Sequence, residues 1–386
     1  MFVTLRCLPC KQCAAFDKDV LEGGPTLSPL LRQFVTVRLT NMRDLDLRLF
    51  PIEKFQDLDL SWWGWFLSPA GRLYGVYGGR DEVSDETRIS IKSLKANLRR
   101  VLDHHYDPRR THWNVDGPLP ALQGKPITPI DLPGWKSWAG YGAREVASAE
   151  CLHCHQVSEV LRQPAIDARQ FDKTRDFDMW PLPENVGIVL DRDHGLKVRA
   201  VLADSPAARS GIRAGDVIGG AGERRLFGQA DFRAVLHGAS KGPCSLAVVW
   251  ARGSQVMANE LVLPSGWRKT ELGWRASVAE AKVGAHPGIP WVHALPLKQR
   301  RSLGIEQGTM AMRPWFGQNH VGAAYEAGLR PGQVIIAVDG KSPDIAGRRF
   351  RVWFRLRYEP GQRVELTVVD EKRNRRKIAY NIPGHQ

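Results

Sequence analysis

Short apolar runs punctuated by glycine and proline alternate along this chain with longer stretches of helical periodicity, and the two patterns divide it unevenly. The opening reads as a strand, a cysteine-bearing segment and a helix, followed by the β-branched strand Phe34-Val35-Thr36-Val37-Arg38-Leu39. Residues 62–67 and 73–77 pair as a hairpin around Ser68-Pro69-Ala70-Gly71, a cluster with turn chemistry. A helix is predicted over 85–105, since Ile89, Leu94, Leu98, Val101 and Leu102 recur on one face. Pro118, Pro120, Pro126, Pro129 and Pro133 then make a semi-rigid connector. Two helical stretches, 145–149 and 158–162, flank Cys151-Leu152-His153-Cys154-His155. From 185 onward the pattern turns β-rich.

That last region repeats itself. Ser205-Pro206-Ala207-Ala208-Arg209-Ser210-Gly211-Ile212-Arg213-Ala214-Gly215-Asp216-Val217-Ile218 aligns with Gly322-Ala323-Ala324-Tyr325-Glu326-Ala327-Gly328-Leu329-Arg330-Pro331-Gly332-Gln333-Val334-Ile335, so a module has been duplicated. Both copies resemble PDZ domains of the bacterial type that follow periplasmic heat-shock serine proteases. The resemblance implies a carboxylate-binding loop at Val186, Gly187, Ile188 and Val189, whose N–H groups and strand edge hold a peptide C-terminus. It also implies that helix 229–236 forms the other groove wall. In the second copy Leu303-Gly304-Ile305 is the expected loop, and Gln333 replaces the aspartate. No Gly-x-Ser-x-Gly elbow or serine triad series precedes the modules, so a protease is not expected.

The six cysteines cluster as 7, 10 and 13, then 151 and 154, then 244 alone, a spacing suited to redox or cofactor chemistry more than to a disulfide framework. Cys151-Leu152-His153-Cys154-His155 is a Cys-x-x-Cys-His motif. Its two thiols, one helical turn apart, suit covalent attachment of a c-type haem, with His155 as the iron ligand. Met179 and His194 are candidates for the opposite axial position. Cys10-Lys11-Gln12-Cys13-Ala14-Ala15-Phe16-Asp17 resembles thioredoxin-like proteins in which an acidic helical segment follows the CxxC. The resemblance implies a nucleophilic Cys10 and a resolving Cys13, with thiolate favoured by a helix N-terminus; Cys7-Leu8-Pro9-Cys10 is the alternative pair. Leu60-Ser61-Trp62 stands where those proteins carry a proline.

The expected fold class is therefore multidomain α/β plus mainly-β: a thioredoxin-like domain (1–110), a Pro-rich linker (111–144), a helical CxxCH segment (145–184) and two PDZ-like domains (185–266 and 267–386). This order resembles a family of bacterial proteins typical of planctomycete-like genomes, some with selenocysteine in the N-terminal motif. Taken together, the motifs lead to the expectation of a cell-envelope redox protein exchanging disulfides or electrons with a partner protein, its haem relaying charge and its PDZ pair docking peptide chain ends. A non-catalytic peptide-binding scaffold is the alternative. The net charge of +14 is spread along the chain, so nucleic acid is not an expected partner, and no apolar run is long enough for a transmembrane helix. A c-type haem is attached outside the cytoplasm and no signal peptide is visible after Met1, so a start of the reading frame upstream of Met1 is expected.

Overall fold

A computed structural model describes residues 1–6, 14–60, 62–79, 89–113, 115–117, 119–140, 152–177, 180–268, 272–318 and 321–384. The chain is mixed α/β with several sheets, and it divides into two compact units. One comprises Met1–Pro164 and Met179–Thr270; the other comprises Ala165–Asp178 and Glu271–Gln386.

In the first unit, strands β1 (Phe2–Arg6), β2 (Thr36–Leu39), β3 (Trp62–Leu67) and β4 (Leu73–Gly79) form a sheet in the order β2-β1-β3-β4. β1 and β2 run parallel, which requires a crossover; helices α1 (Ala14–Glu22) and α2 (Gly24–Leu31) provide it. β3 and β4 are antiparallel neighbours, so the predicted hairpin forms, and both are buried along almost their whole length. Strands covered on both faces read as continuous apolar runs, as Trp62-Trp63-Gly64-Trp65-Phe66-Leu67 does. The short helix α3 (Ile52–Phe55) precedes β3. Helix α4 (Ile91–Tyr106) starts at a Ser90–Ser93 capping box, six residues after the expected start; residues 80–88 lie outside the described residues. Leu94, Leu98 and Val101 seat α4 on the sheet beside Phe2, Trp62 and Phe66.

The connector carries helices α5 (Arg110–Trp113) and α6 (Trp135–Gly140) and leads to α7 (Cys154–Asp167). A second core in the same unit is built from β5 (Ile188–Leu190), β6 (Val198–Val201), helix α8 (Pro206–Ser210), β7 (Val217–Ala221), β8 (Arg224–Arg225), helix α9 (Gln229–Gly238), β9 (Cys244–Arg252) and β10 (Gln255–Leu263). Its sheets are β5-β6 and β10-β9-β7-β8. Alternation along β9 buries Leu246, Val248 and Trp250 and turns the intervening residues outward.

The two cores of this unit are closely joined. Phe227 of the second is buried with Phe2, Trp62 and Leu94 of the first. Gly75 permits that approach, because a Cβ there would lie 2.7 Å from the Phe227 ring and 2.8 Å from an Asp231 oxygen. The carboxylate of Asp231 accepts N–H groups from Val76 (2.7 Å), Phe227 (2.9 Å) and Gly228 (3.0 Å), and so closes the outer edge of β4. Arg233 pairs with Asp57, both fully buried.

The second unit repeats the module. Helix α10 (Ala276–Ala279), β11 (Trp291–Ala294), helix α11 (Leu297–Ser302), β12 (Met312–Trp315), helix α12 (Ala323–Glu326), β13 (Val334–Val338), helix α13 (Gly347–Arg357), β14 (Arg363–Val369) and β15 (Arg375–Asn381) follow in order. The five strands form one antiparallel sheet, β11-β12-β13-β14-β15. Val292, Met312, Ile335, Phe350, Phe354 and Leu366 share its core.

Candidate functional site

Three positions hold or adjoin the residues singled out in the sequence. The first lies between β1 and α1. Cys7, Cys10 and Cys13 fall outside the described residues, but both ends of their segment are fixed, Arg6 closing β1 and Ala14 opening α1. Asp17, in the first turn of α1, is 3% exposed. Its carboxylate accepts from Arg38 (2.6 Å), Arg6 (3.3 Å) and the Trp62 indole N–H (3.3 Å). A buried carboxylate held by two guanidinium groups and an indole is fully paired, so it anchors α1 to the ends of β1 and β2 and to β3. A helix entry held this way is a rigid platform for whatever its first turn presents.

The second position is the start of α7. Cys151 lies outside the described residues; Cys154 is the first residue of α7 and is buried. The Leu152 N–H donates to Asn41 Oδ1 at 3.1 Å, which ties this segment to the N-terminal core. His155 Nδ1 faces Glu159 Oε1 at 3.4 Å, one turn on, and Glu159 Oε2 accepts from the Trp138 indole at 2.9 Å. The His153 and His155 rings lie 5.5 Å apart. A carboxylate on Nδ1 sets the tautomer and orientation of an imidazole, the arrangement that iron- and zinc-ligating histidines take from their surroundings. His155 therefore fits an axial ligand. Of the two axial candidates, Met179 lies outside the described residues, and His194 is engaged by Arg100, whose Nη2 lies 3.0 Å from its Nδ1. Among the described residues no group of three or more His, Cys, Asp or Glu side chains could hold a metal ion.

The third position is the loop before β5. Val186 ends a 3-10 turn, Pro183–Val186, and Gly187 follows in the left-handed conformation at φ 88°. The Gly187 N–H donates back to Glu184 O, and its carbonyl accepts from Leu202 N. Val186 and Ile188 are fully buried and Val189 is half-buried. A Cβ on Gly187 would sit 2.0 Å from Ser205 Oγ, so this glycine lets the loop pass against the N-cap of α8. One donor of the loop is thus spent within the turn itself.

The second module corrects one expectation. Leu303-Gly304-Ile305 lies between α11 and β12, not ahead of the first strand of its module. The counterpart of Val186-Gly187-Ile188 is Pro287-Gly288-Ile289, directly before β11. Gly288 has φ 64°, its carbonyl accepts from Ala324 N, and a Cβ there would lie 3.1 Å from Ala323 Cβ. The physical reason is an insertion: α11 and its flanking loops lengthen the path between the first two strands, so spacing counted back from the repeat stops short of the loop. Cys244, expected to be buried, is partly exposed, and its thiol lies 3.8 Å from Ser240 O.

The repeat also extends into the helices in a way the sequence displayed and pattern reading missed. Asp231-Phe232-Arg233-Ala234-Val235-Leu236-His237 on α9 matches Arg349-Phe350-Arg351-Val352-Trp353-Phe354-Arg355 on α13. Phe232 and Leu236 fill one core; Phe350 and Phe354 fill the other. The following position of each pair faces the chain beside the loop. Arg233 Nε donates to Pro181 O, and His237 stacks on Trp180 at 4.2 Å. Arg351 donates to Pro290 O at 3.0 Å and lies over the Trp291 ring, while Arg355 donates to Val283 O. In both modules the helix expected to wall a groove holds its own upstream chain.

No family model and no curated protein matches this chain. Among solved structures, the HtrA-type protease AlgW with a decapeptide is similar over 27% of this chain and 30% of that one, at 25% identity and a TM-score of 0.22. An AlgW variant with a tripeptide is similar over 28% and 34%, at 23% identity and 0.22. A variant with a decapeptide is similar over 44% and 49%, at 18% identity and 0.25. This chain spans about a third to a half of the length of those proteases. Scores this low carry no argument, and the kinship of the two modules rests on their own matching geometry.

Proposed function

We propose that this chain is a cell-envelope redox protein with a thioredoxin-like N-terminal domain, a c-type haem segment and two PDZ-like modules. The observation that carries the reading is the sheet order β2-β1-β3-β4 with α1 rising directly from the cysteine segment. Thioredoxin-like folds present their CxxC at that junction, and the buried Asp17 cluster fixes the helix there. In the proposed exchange, the Cys10 thiolate attacks a partner disulfide and releases one partner thiolate. Cys13 then attacks the Cys10 sulfur and releases the second. Two electrons and two protons pass from the dithiol to the partner, and an intramolecular disulfide remains.

At the second position Cys151 and Cys154 would hold the porphyrin and His155 the iron, with Glu159 orienting the ring. Bound there, the haem would supply one-electron transfer. The neighbouring AlgW structures carry peptides, and peptide chain ends are the ligand class proposed for the modules. The alternative is a non-catalytic peptide-binding scaffold with a vestigial thioredoxin-like domain.

Insulin reduction by the full chain and by Cys10→Ser and Cys13→Ser variants tests the thiol half; activity indifferent to both would remove it. An absorption spectrum after expression with c-haem maturation machinery tests the other half, and a Soret band lost on denaturation would exclude covalent haem.

A further inference from the structure

A cavity of about 1010 Å³ opens in the first unit beside β7, β8 and α5. Arg100, Arg224, Arg225 and Trp113 line it together with the exposed apolar side chains Val249 and Val256. Glu223 is the one acidic residue in its wall. We propose that this cavity binds a small organic anion with a flat conjugated body, the anionic group on Arg225 and the body along Trp113 and the valines.

The three arginines are not equivalent. Arg100 spends its guanidinium on the backbone, donating to Phe227 O and His194 O, both at 2.9 Å. Arg224 donates to Tyr74 O at 3.2 Å and lies over the Phe55 ring. Those two set a positive field but are held by the fold. Arg225 is half-buried, its guanidinium carbon lies 5.0 Å from the centre of the Trp113 ring, and the guanidinium makes no hydrogen bond or ion pair with any described residue. Asp103 and Asp107 act on it only through space, and Asp107 is already paired with Arg109. Burial pushes the Arg225 guanidinium below its usual range. A cation partly stripped of water, whose nearest carboxylates act on it only at a distance, is costly unless an anion completes it. A guanidinium also offers paired N–H donors that match carboxylate, sulfonate or phosphate oxygens. The apolar wall beside it selects an anion that carries a hydrophobic body over a bare inorganic ion.

The test uses the full chain and isothermal titration with 2-naphthoate, its uncharged isostere 2-naphthamide, and inorganic phosphate. Saturable one-to-one binding of naphthoate is expected, with the amide and phosphate each weaker by roughly tenfold or more, the value of a charge-assisted pair. Arg225→Gln should lower naphthoate affinity by a similar factor. Val256→Asp, at a position 77% exposed and so harmless to folding, should weaken it by placing a like charge at the mouth. No saturable naphthoate binding, or equal binding of naphthoate and amide, overturns the proposal. So does naphthoate affinity indifferent to Val256→Asp, whether or not the Arg225 variant folds.

Discussion

Asp231 offers a sharp test of how the first unit is held together. Its carboxylate is 1% exposed and accepts three backbone N–H groups, at 2.7, 2.9 and 3.0 Å. Burial pushes its pKa up from 3.8 to about 6 despite those bonds and the nearby Arg224. A rise of that size costs the ionised form about 3 kcal/mol. Replacing Asp231 with Ala leaves three buried donors unpaired, at about 1–3 kcal/mol each, and returns the cost of the charge; the net loss at pH 7 is about 0–6 kcal/mol, centred near 3. Asp231→Asn keeps one acceptor oxygen and should lose about 1–2 kcal/mol. The pH dependence has a definite sign. A carboxyl raised in the folded state contributes fully below its unfolded value near 4, and that contribution fades as pH rises through about 6. The gap between wild type and Asp231→Asn is therefore widest near pH 4 and narrows toward pH 7. Native-state hydrogen exchange at the Val76 and Gly228 amides reads this local stability directly. Val76 protection in Asp231→Ala within about 0.5 kcal/mol of wild type would refute the clamp, and a gap that grows with pH would refute the cost assigned to its charge.

The buried Arg233–Asp57 pair predicts an asymmetry: Asp57→Ala should cost about 3–5 kcal/mol in thermal or urea unfolding, whereas the apolar double replacement Asp57→Leu with Arg233→Met should fall within about 1 kcal/mol of wild type. Asp17→Ala should cost about 2–4 kcal/mol in unfolding of the N-terminal core, because it strands Arg6, Arg38 and the Trp62 indole; an insulin-reduction rate lost in step with stability would mark Asp17 as a positioning residue only. Gly187→Ala should destabilise by about 1–3 kcal/mol through its positive φ and its clash with Ser205, and Ser205→Gly should recover only the clash. Expression with c-haem maturation machinery should give a covalent Soret band that His155→Ala shifts and that Cys154→Ser with Cys151→Ser abolishes; an unaltered band in the double variant would place any haem elsewhere.

Much of the strand content was legible because burial was one-sided or complete. The Trp62 hairpin and the β9 alternation are patterns that few other structures would satisfy. The start of α4 was less so. Apolar periodicity runs into Ile89, but Ser90 fixes the entry by capping, and a cap is a local hydrogen-bond choice that periodicity does not register. The loop of the second module was misplaced for a related reason. Leu303-Gly304-Ile305 has the right residue types, yet what defines the loop is a glycine passing against the small-residue helix, a contact between positions 288 and 323. Composition at one site cannot reveal a partner thirty-five residues away. The Asp231 clamp and the unpaired Arg225 belong to the same class, since both depend on what another part of the chain brings to them.

The duplicated Phe-Arg pair shows why a module of this kind keeps its helix arginine where no ligand contact asks for it. In each module the helix arginine meets a proline-rich stretch, Trp180-Pro181-Leu182-Pro183 ahead of the loop in one and Pro287-Gly288-Ile289-Pro290, the loop itself and the residue after it, in the other. Proline has no N–H to donate, so such a stretch makes few ladder bonds of its own, and side-chain donors add to the backbone ones. Arg233 supplies one to Pro181 O and Arg351 one to Pro290 O, while Tyr380 serves Pro287 O. The phenylalanine before each arginine locks the helix into its core, and this fixes where the guanidinium emerges. A peptide that used the same helix faces would have to replace these bonds one for one, so peptide capture by either module competes with the packing of its own proline-rich stretch.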